Sequence, residues 1–392
     1  MKKIFIISGV MLGVTVLAWG IYMIAFRVPA PASDSSTSTK DSTKISNESS
    51  DTQNKIQASS ESAAIQIVTN EGVMGLYVGD GNDGPLKYYT TGDGDVYQIS
   101  LDGTNLQSLA NNSLTGLASV NWSPRGNKAI TSFKRDGVET FYVYDFDSKQ
   151  GNKMKDGVDT ISWSNLGDKI IYKYFDATTK QRSVNVAEPD GKNWQKLADT
   201  PYRNLKISQI PQSSQVAFWN KPSANEETDL ELASIVGAGA TRVMAGKFGA
   251  DYLWSPNGEF MLVSSVEQGG KKLMLGVASK DGKNYQSLGI PTLASKCAWT
   301  KNSEKVYCAW PSIDEGVVMP DDYQDGKMAT RDTFWKVNVL TGEKKRVMEL
   351  KELESINQTF DASNLVVSPK EDVLFFINRT DQKLYRIELD RS

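Results

Sequence analysis

The chain has 392 residues, 39% of them hydrophobic and 23% charged, with 44 Lys and Arg against 47 Asp and Glu and a pI near 5.4. That balance suits a globular body and argues against nucleic acid as a partner, which would call for a basic stripe. Histidine is absent, which removes Ser-His-Asp and Cys-His nucleophile systems, imidazole bases and histidine-held metals.

Residues 4–26 carry no charge and follow Lys2 and Lys3. At about 1.5 Å per residue this run reaches roughly 35 Å, enough to cross a bilayer. A secretory signal peptide is the alternative, with Ala30-Pro-Ala32 as a weak cleavage site, but the run exceeds the ~7–15 residues of a usual signal core. Residues 1–29 are therefore expected to be an uncleaved anchor, one transmembrane helix. Two lysines before the span against Arg27 after it predict a cytoplasmic amino terminus with the rest outside the cytoplasm. Residues 30–62 are rich in Ser, Thr, Asp and Asn with no aromatic residue, so they cannot offset their ordering entropy and read as a disordered linker.

From residue 63 to 392 one phrase recurs. It reads Trp122-Ser-Pro-Arg-Gly126, Trp163-Ser-Asn-Leu-Gly167, Trp254-Ser-Pro-Asn-Gly258 and Trp299-Thr-Lys-Asn-Ser303, with degenerate copies at Gln209-Ile-Pro-Gln-Ser213 and Val367-Ser-Pro-Lys-Glu371. Each copy sits between β-rich runs, and Pro and Gly supply the fixed and permissive φ of a tight connection. A third run follows, then Asp102-Gly103, Asp190-Gly191 or Asp281-Gly282 and a short fourth run. Four antiparallel strands at a period near 45 make one blade of a β-propeller, an all-β fold. The column of Trp122, Trp163, Trp254 and Trp299 reads as core between blades. Seven blades are counted, with six or eight left open by the weak first and last copies. The last copy stops one strand short, and residues 64–69 are expected to supply that strand and close the ring. No helix is expected beyond the anchor.

These phrases resemble the WD40-like (PD40) repeats of TolB-type propellers, whose pattern is W-S-P-D-G followed by an apolar strand and a D-x-D-G turn. The resemblance covers residues 119–391 well and the first blade loosely, and it implies the propeller fold. Propellers of this kind serve as scaffolds, ligand binders and appendages of peptidases. The extra α/β domain of TolB and the hydrolase domain of prolyl oligopeptidases have no counterpart here, so their partners do not transfer.

Three places stand out within the repeats. Three residues before each Trp position lie Ser119, Thr160, Lys206, Asp251, Lys296 and Asn364, all polar, at the entry to the inner strand. They read as a ring about the central channel, either a ligand site or an inter-blade belt of hydrogen bonds and ion pairs. The sixth blade carries an excursion, residues 311–333, with Asp314, Glu315, Asp321, Asp322, Tyr323, Asp325 and Asp332. It is expected to fold over one face for partner recognition or gating, or to be a solvated elaboration. Cys297 and Cys308, the only cysteines, face each other if their two runs form a hairpin, giving a disulfide or a pair of buried thiols.

No cofactor is expected; calcium is the alternative left open by Asp321, Asp322 and Asp325 and by the turn from Asp80 to Asp83, none of which matches an EF-hand spacing. The whole reads as a membrane-anchored, extracytoplasmic, non-enzymatic module that binds an envelope protein or peptide. The alternatives are a carboxylate-dependent hydrolase acting on glycan or cell-wall peptide, and a small-ligand or calcium sensor.

Overall fold

The serine of the repeated phrase does as much as its proline and glycine. Ser123, Ser164, Ser255, Thr300 and Ser368 each accept, on the side-chain oxygen, the backbone N–H five residues on, at 3.0–3.1 Å. This bond fixes the turn between the first and second strands of a repeat. Gly126, Gly167 and Gly258 then take φ of 64 to 70°, and Ser303 and Glu371 hold the same left-handed geometry without glycine.

The computed structural model describes residues 65–389 apart from 82, 83, 112, 113 and 357. The anchor, the linker and Asp83 lie outside the described residues. Among the described residues no helix is long and apolar enough to cross a membrane.

The described strands form six antiparallel sheets, five of four strands and one of seven. The seven-stranded sheet runs through two repeats because Ala240–Trp254 is continuous. Its first part pairs with Glu227–Ser234, its last part with Phe260–Glu267, and Phe248 has a partner on both sides. In the last sheet Ile65–Ile67 pairs with Leu384–Glu388, Ile65 opposite Ile387. Val73–Val78 of the first repeat touches both Leu117–Trp122 of the second and Ala362–Val367 of the last, and Val158–Trp163 touches Leu205–Gln209 of the repeat after it.

Apolar clusters sit between consecutive repeats, as Tyr89 and Val96 with Trp122 and Ala129, and one joins the last to the first, Val373 and Phe375 with Val73, Leu86 and Tyr88. The repeated tryptophans are buried or half-buried in these seams. They also stitch them. The indole N–H of Trp122 donates to Gly75 O, that of Trp163 to Asn121 O at 2.9 Å, and that of Trp299 to Leu253 O at 3.2 Å, each in the first strand of the repeat before. The buried Trp254 Nε1 finds no acceptor among the described residues.

The expectation of no further helix is corrected, among the described residues, by two short α-helices, Asp321–Gln324 and Leu350–Ser355, and one turn of 3-10 helix, Ala294–Lys296. The second α-helix is started by a reciprocal cap between Glu349 and Glu352, which satisfies backbone donors left free at a helix N-terminus.

Candidate functional site

The six polar column residues take separate partners. Lys206 Nζ and Asp251 Oδ2 pair at 2.7 Å across two repeats, and Asp251 Oδ1 accepts Trp219 Nε1 at 3.1 Å. Ser119 shares a 2.6 Å hydrogen bond with Ser132. Thr160 donates to Leu205 O of the next repeat at 3.2 Å. Asn364 takes a positive φ of 50° and lines a cavity with Lys206 and Asp251.

Lys296 turns away from that pair into the seam between the last two repeats. It is 1% exposed and donates to Thr330 Oγ1, Asp332 Oδ2, Asp361 Oδ1 and Ala362 O at 2.7–2.9 Å. Burial alone would depress its ammonium, but Asp332, Tyr323 and Asp361 outweigh that and raise its pKa. Burial would likewise raise Asp361, yet Lys296, Thr330 and Tyr323 hold it below the usual carboxylate range. Asp332 goes the other way: burial raises it despite Lys296, and its Oδ1 has no donor among the described residues.

The excursion reaches from its own repeat to Pro222 and Ala224 in one direction and to Asp361 and Arg379 in the other. Its underside, Val317, Met319, Tyr323 and Met328, packs on Phe248, Val266, Leu273 and Leu293. At Gly270 (φ 81°) a Cβ would come within 2.7–2.8 Å of Val318 and Met319, so the approach requires glycine. Asp321 accepts the Ala224 amide at 3.1 Å, and Gln324 donates to Pro222 O at 3.2 Å. Tyr323 donates to Asp361 at 2.9 Å, and its ring centroid lies 5.0 Å from Lys296 Nζ and 4.0 Å from the Arg379 guanidinium.

The other acids also have internal duties. Asp322 accepts Val318 N at 2.9 Å, and Lys327 pairs with Asp325 at 3.0 Å. Asp314 pairs with Arg331 at 3.1 Å on the surface, where Glu315 is exposed. Among the described residues no three acids or cysteines converge on a metal-sized site.

Under the crossing lies a cavity of about 340 Å³, lined by Lys206, Asp251, Ser295, Asn364 and Arg379 from the repeats and by Pro320, Tyr323 and Gln324 from the excursion. Column and excursion thus meet at one place. Beside it, Cys297 and Cys308 are direct cross-strand partners joined by a disulfide.

Sequence reading missed Lys173, Asp361 and Arg379. Lys173 is fully buried opposite Thr160, pairs with Asp159 at 2.6 Å and donates to Arg203 O. Its signal was visible: one lysine inside Ile170-Ile-Tyr-Lys173-Tyr-Phe, where a strand otherwise apolar rarely holds a charge without a partner. Asp159 sits next to the column, and burial raises its pKa against the pull of Lys173.

No family model matches the chain, and no curated protein matches it. Solved structures do. Oligogalacturonate lyase from Vibrio parahaemolyticus superposes with a TM-score of 0.59, over 83% of this chain and 94% of that one, at 10% identity. The β-propeller domain of the trilobed protease from Pyrococcus furiosus gives 0.50 over 82% and 94% at 13%. TolB from Acinetobacter baumannii is looser, at 0.45 over 70% and 62% with 9% identity. The chain folds as a β-propeller. At identities this low the likeness is one of fold and carries no activity with it.

Proposed function

We propose that this chain is a seven-bladed TolB-type propeller, the long strand Ala240–Trp254 serving two blades and Ile65–Ile67 closing the ring. It is held outside the cytoplasm by one amino-terminal membrane span and a flexible linker, and it works as a non-enzymatic binding module for an envelope protein or peptide. The observation that carries this reading is the excursion locked onto two other repeats by Ala224, Pro222 and Asp361. Its anchors at Ala224 and Asp361 hold it in place over the cavity, and the carboxylate in the cavity beneath, Asp251, is already matched by Lys206 and Trp219. Such an arrangement favours capture over proton transfer, which needs a carboxyl free to exchange its proton. The disulfide supports an oxidising compartment.

The test is proximity crosslinking in cells expressing the full chain, compared with a D314K/E315K variant. Both residues are exposed, so the fold is expected to persist. One envelope protein captured by the parent and lost from the variant supports the reading. Equal capture by both, or capture of nothing above background, refutes it.

The hydrolase alternative rests on Asp159, a carboxyl with raised pKa whose side chain is 47% exposed. Release of reducing ends or peptides from cell-wall material by the parent and not by Asp159→Asn would establish it in place of the binding module.

A further inference from the structure

The face of the second repeat that looks toward the first is partly uncovered. Its strands Lys128–Arg135 and Val138–Asp145 have eight residues each, against five and four for Leu86–Thr90 and Val96–Ile99 of the first repeat. The overhang leaves a cleft of about 480 Å³, with Phe133, Tyr142 and Tyr144 as its floor, Leu114 as a wall and Arg135 and Lys153 among its lining. Phe133 and Tyr142 meet edge to face with centroids 5.5 Å apart, and Val138 at the lip is 66% exposed. A mostly apolar cleft of this volume with a few polar groups is the ordinary form of a small-ligand site.

The third repeat shows what fills the corresponding place. The spacing that carries Trp122 onto Trp163, 41 residues, carries Phe133 onto Tyr174, Leu114 onto Lys155 and Arg135 onto Asp176. There the Lys155 ammonium lies 3.7 Å from the Tyr174 centroid and 4.7 Å from that of Trp194, and Asp176 attracts it. The third repeat therefore closes its own aromatic face with a cation and balances that cation with an acid.

In the second repeat both members have changed. The capping lysine is a leucine, so no described side chain fills the space, and the balancing acid is an arginine. The Arg135 guanidinium is exposed and takes part in no hydrogen bond or ion pair among the described residues. Lys153 is exposed and pairs with Asp156 at 3.1 Å. The site is charge-inverted, and its complement is an anion on an apolar body.

We propose that this cleft binds a small apolar carboxylate, its aryl or branched acyl body on Phe133, Tyr142 and Tyr144 and its carboxylate on Arg135. The planar guanidinium fork matches a carboxylate in two parallel hydrogen bonds, and the aromatic floor supplies apolar area.

The experiment is calorimetric titration of the full-length protein in detergent with 2-naphthoate, and in parallel with neutral 2-naphthol and with 2-naphthylmethylammonium. The expected result is saturable naphthoate binding, with naphthol about tenfold weaker and the ammonium weaker still. Arg135→Gln, an exposed change, is expected to weaken naphthoate about tenfold and leave naphthol unchanged. Leu114→Lys combined with Arg135→Asp copies the third repeat and is expected to abolish naphthoate binding. The proposal is overturned if naphthoate does not bind, if Arg135→Gln leaves its affinity unchanged, or if the ammonium binds best. It is also overturned if a short peptide ending in Phe binds where naphthoate does not, which would assign the cleft to a polypeptide terminus.

Discussion

Replacing Lys296 by Met removes one donor from four buried acceptors. Asp361 keeps Tyr323 and Thr330 at 2.9 Å and Arg379 at 3.4 Å, so it stays solvated by the protein. Asp332 is left with the Ala362 amide at 2.7 Å and an oxygen that already had no partner. Stranding a buried carboxylate in this way costs about 3–5 kcal/mol, a large share of the roughly 5–15 kcal/mol that holds a domain folded. The assay is urea unfolding followed by tryptophan fluorescence at pH 7. The deficit is expected to shrink as pH falls, because protonating Asp332 removes the uncompensated charge. A second change, Asp332→Asn in the Lys296→Met background, keeps an acceptor for Ala362, removes the charge, and is expected to recover about half of the loss. A single variant that loses less than about 1 kcal/mol, or a double variant no more stable than the single, would refute this account of the seam.

The remaining predictions concern the seams and the surface chemistry of the same molecule. Reducing the Cys297–Cys308 bridge, which spans 11 positions, is expected to cost about 2–3 kcal/mol by freeing the unfolded chain, read as a lower urea midpoint with reductant; a double Cys→Ala variant indifferent to reductant is the control. Trp163→Phe loses a hydrogen bond to Asn121 O, whereas Trp254→Phe removes a buried N–H that has no acceptor. Trp163→Phe is expected to be the more destabilising by about 1 kcal/mol in parallel melts. Stability is expected to fall on the alkaline side: Lys296 is raised above 10.5, and burial with an Asp hydrogen bond lifts Tyr202 and Tyr385 to about 12. Folded values above unfolded ones give stability that is complete below the unfolded pKa and lost as pH climbs through the folded one; a flat stability profile from pH 9.5 to 12 would contradict it.

The strand-turn-strand rhythm was legible because Trp, Ser and Gly each meet a local demand that repeats: an apolar seam, a turn acceptor and a left-handed φ. The long shared strand was not. Residues 236–250 contain four glycines and four alanines, a composition that signals a loop, and only pairing on both flanks makes it a strand. Gly246 and Gly249, at φ of 73° and 58°, mark where it bends. At the candidate site the polarity of the column was legible, since alternation along a strand puts every second residue on one face. The direction each side chain takes was not, because it depends on partners far away in sequence: Lys296 finds Asp361 and Lys206 finds Asp251. Similarly, the acids of the excursion looked like free ligands until Ala224, Val318 and Lys327 were seen to occupy them.

The shared strand bears on where this chain tolerates being cut. Ile65 lies opposite Ile387, so the two ends of the propeller are neighbours and a short peptide joins them, the condition for circular permutation. New termini at Asp190-Gly191 or Asp281-Gly282 fall in exposed or half-exposed turns outside any strand. A cut among the glycines near residue 246, which look like a natural linker, would sever the backbone that joins two repeats into one sheet.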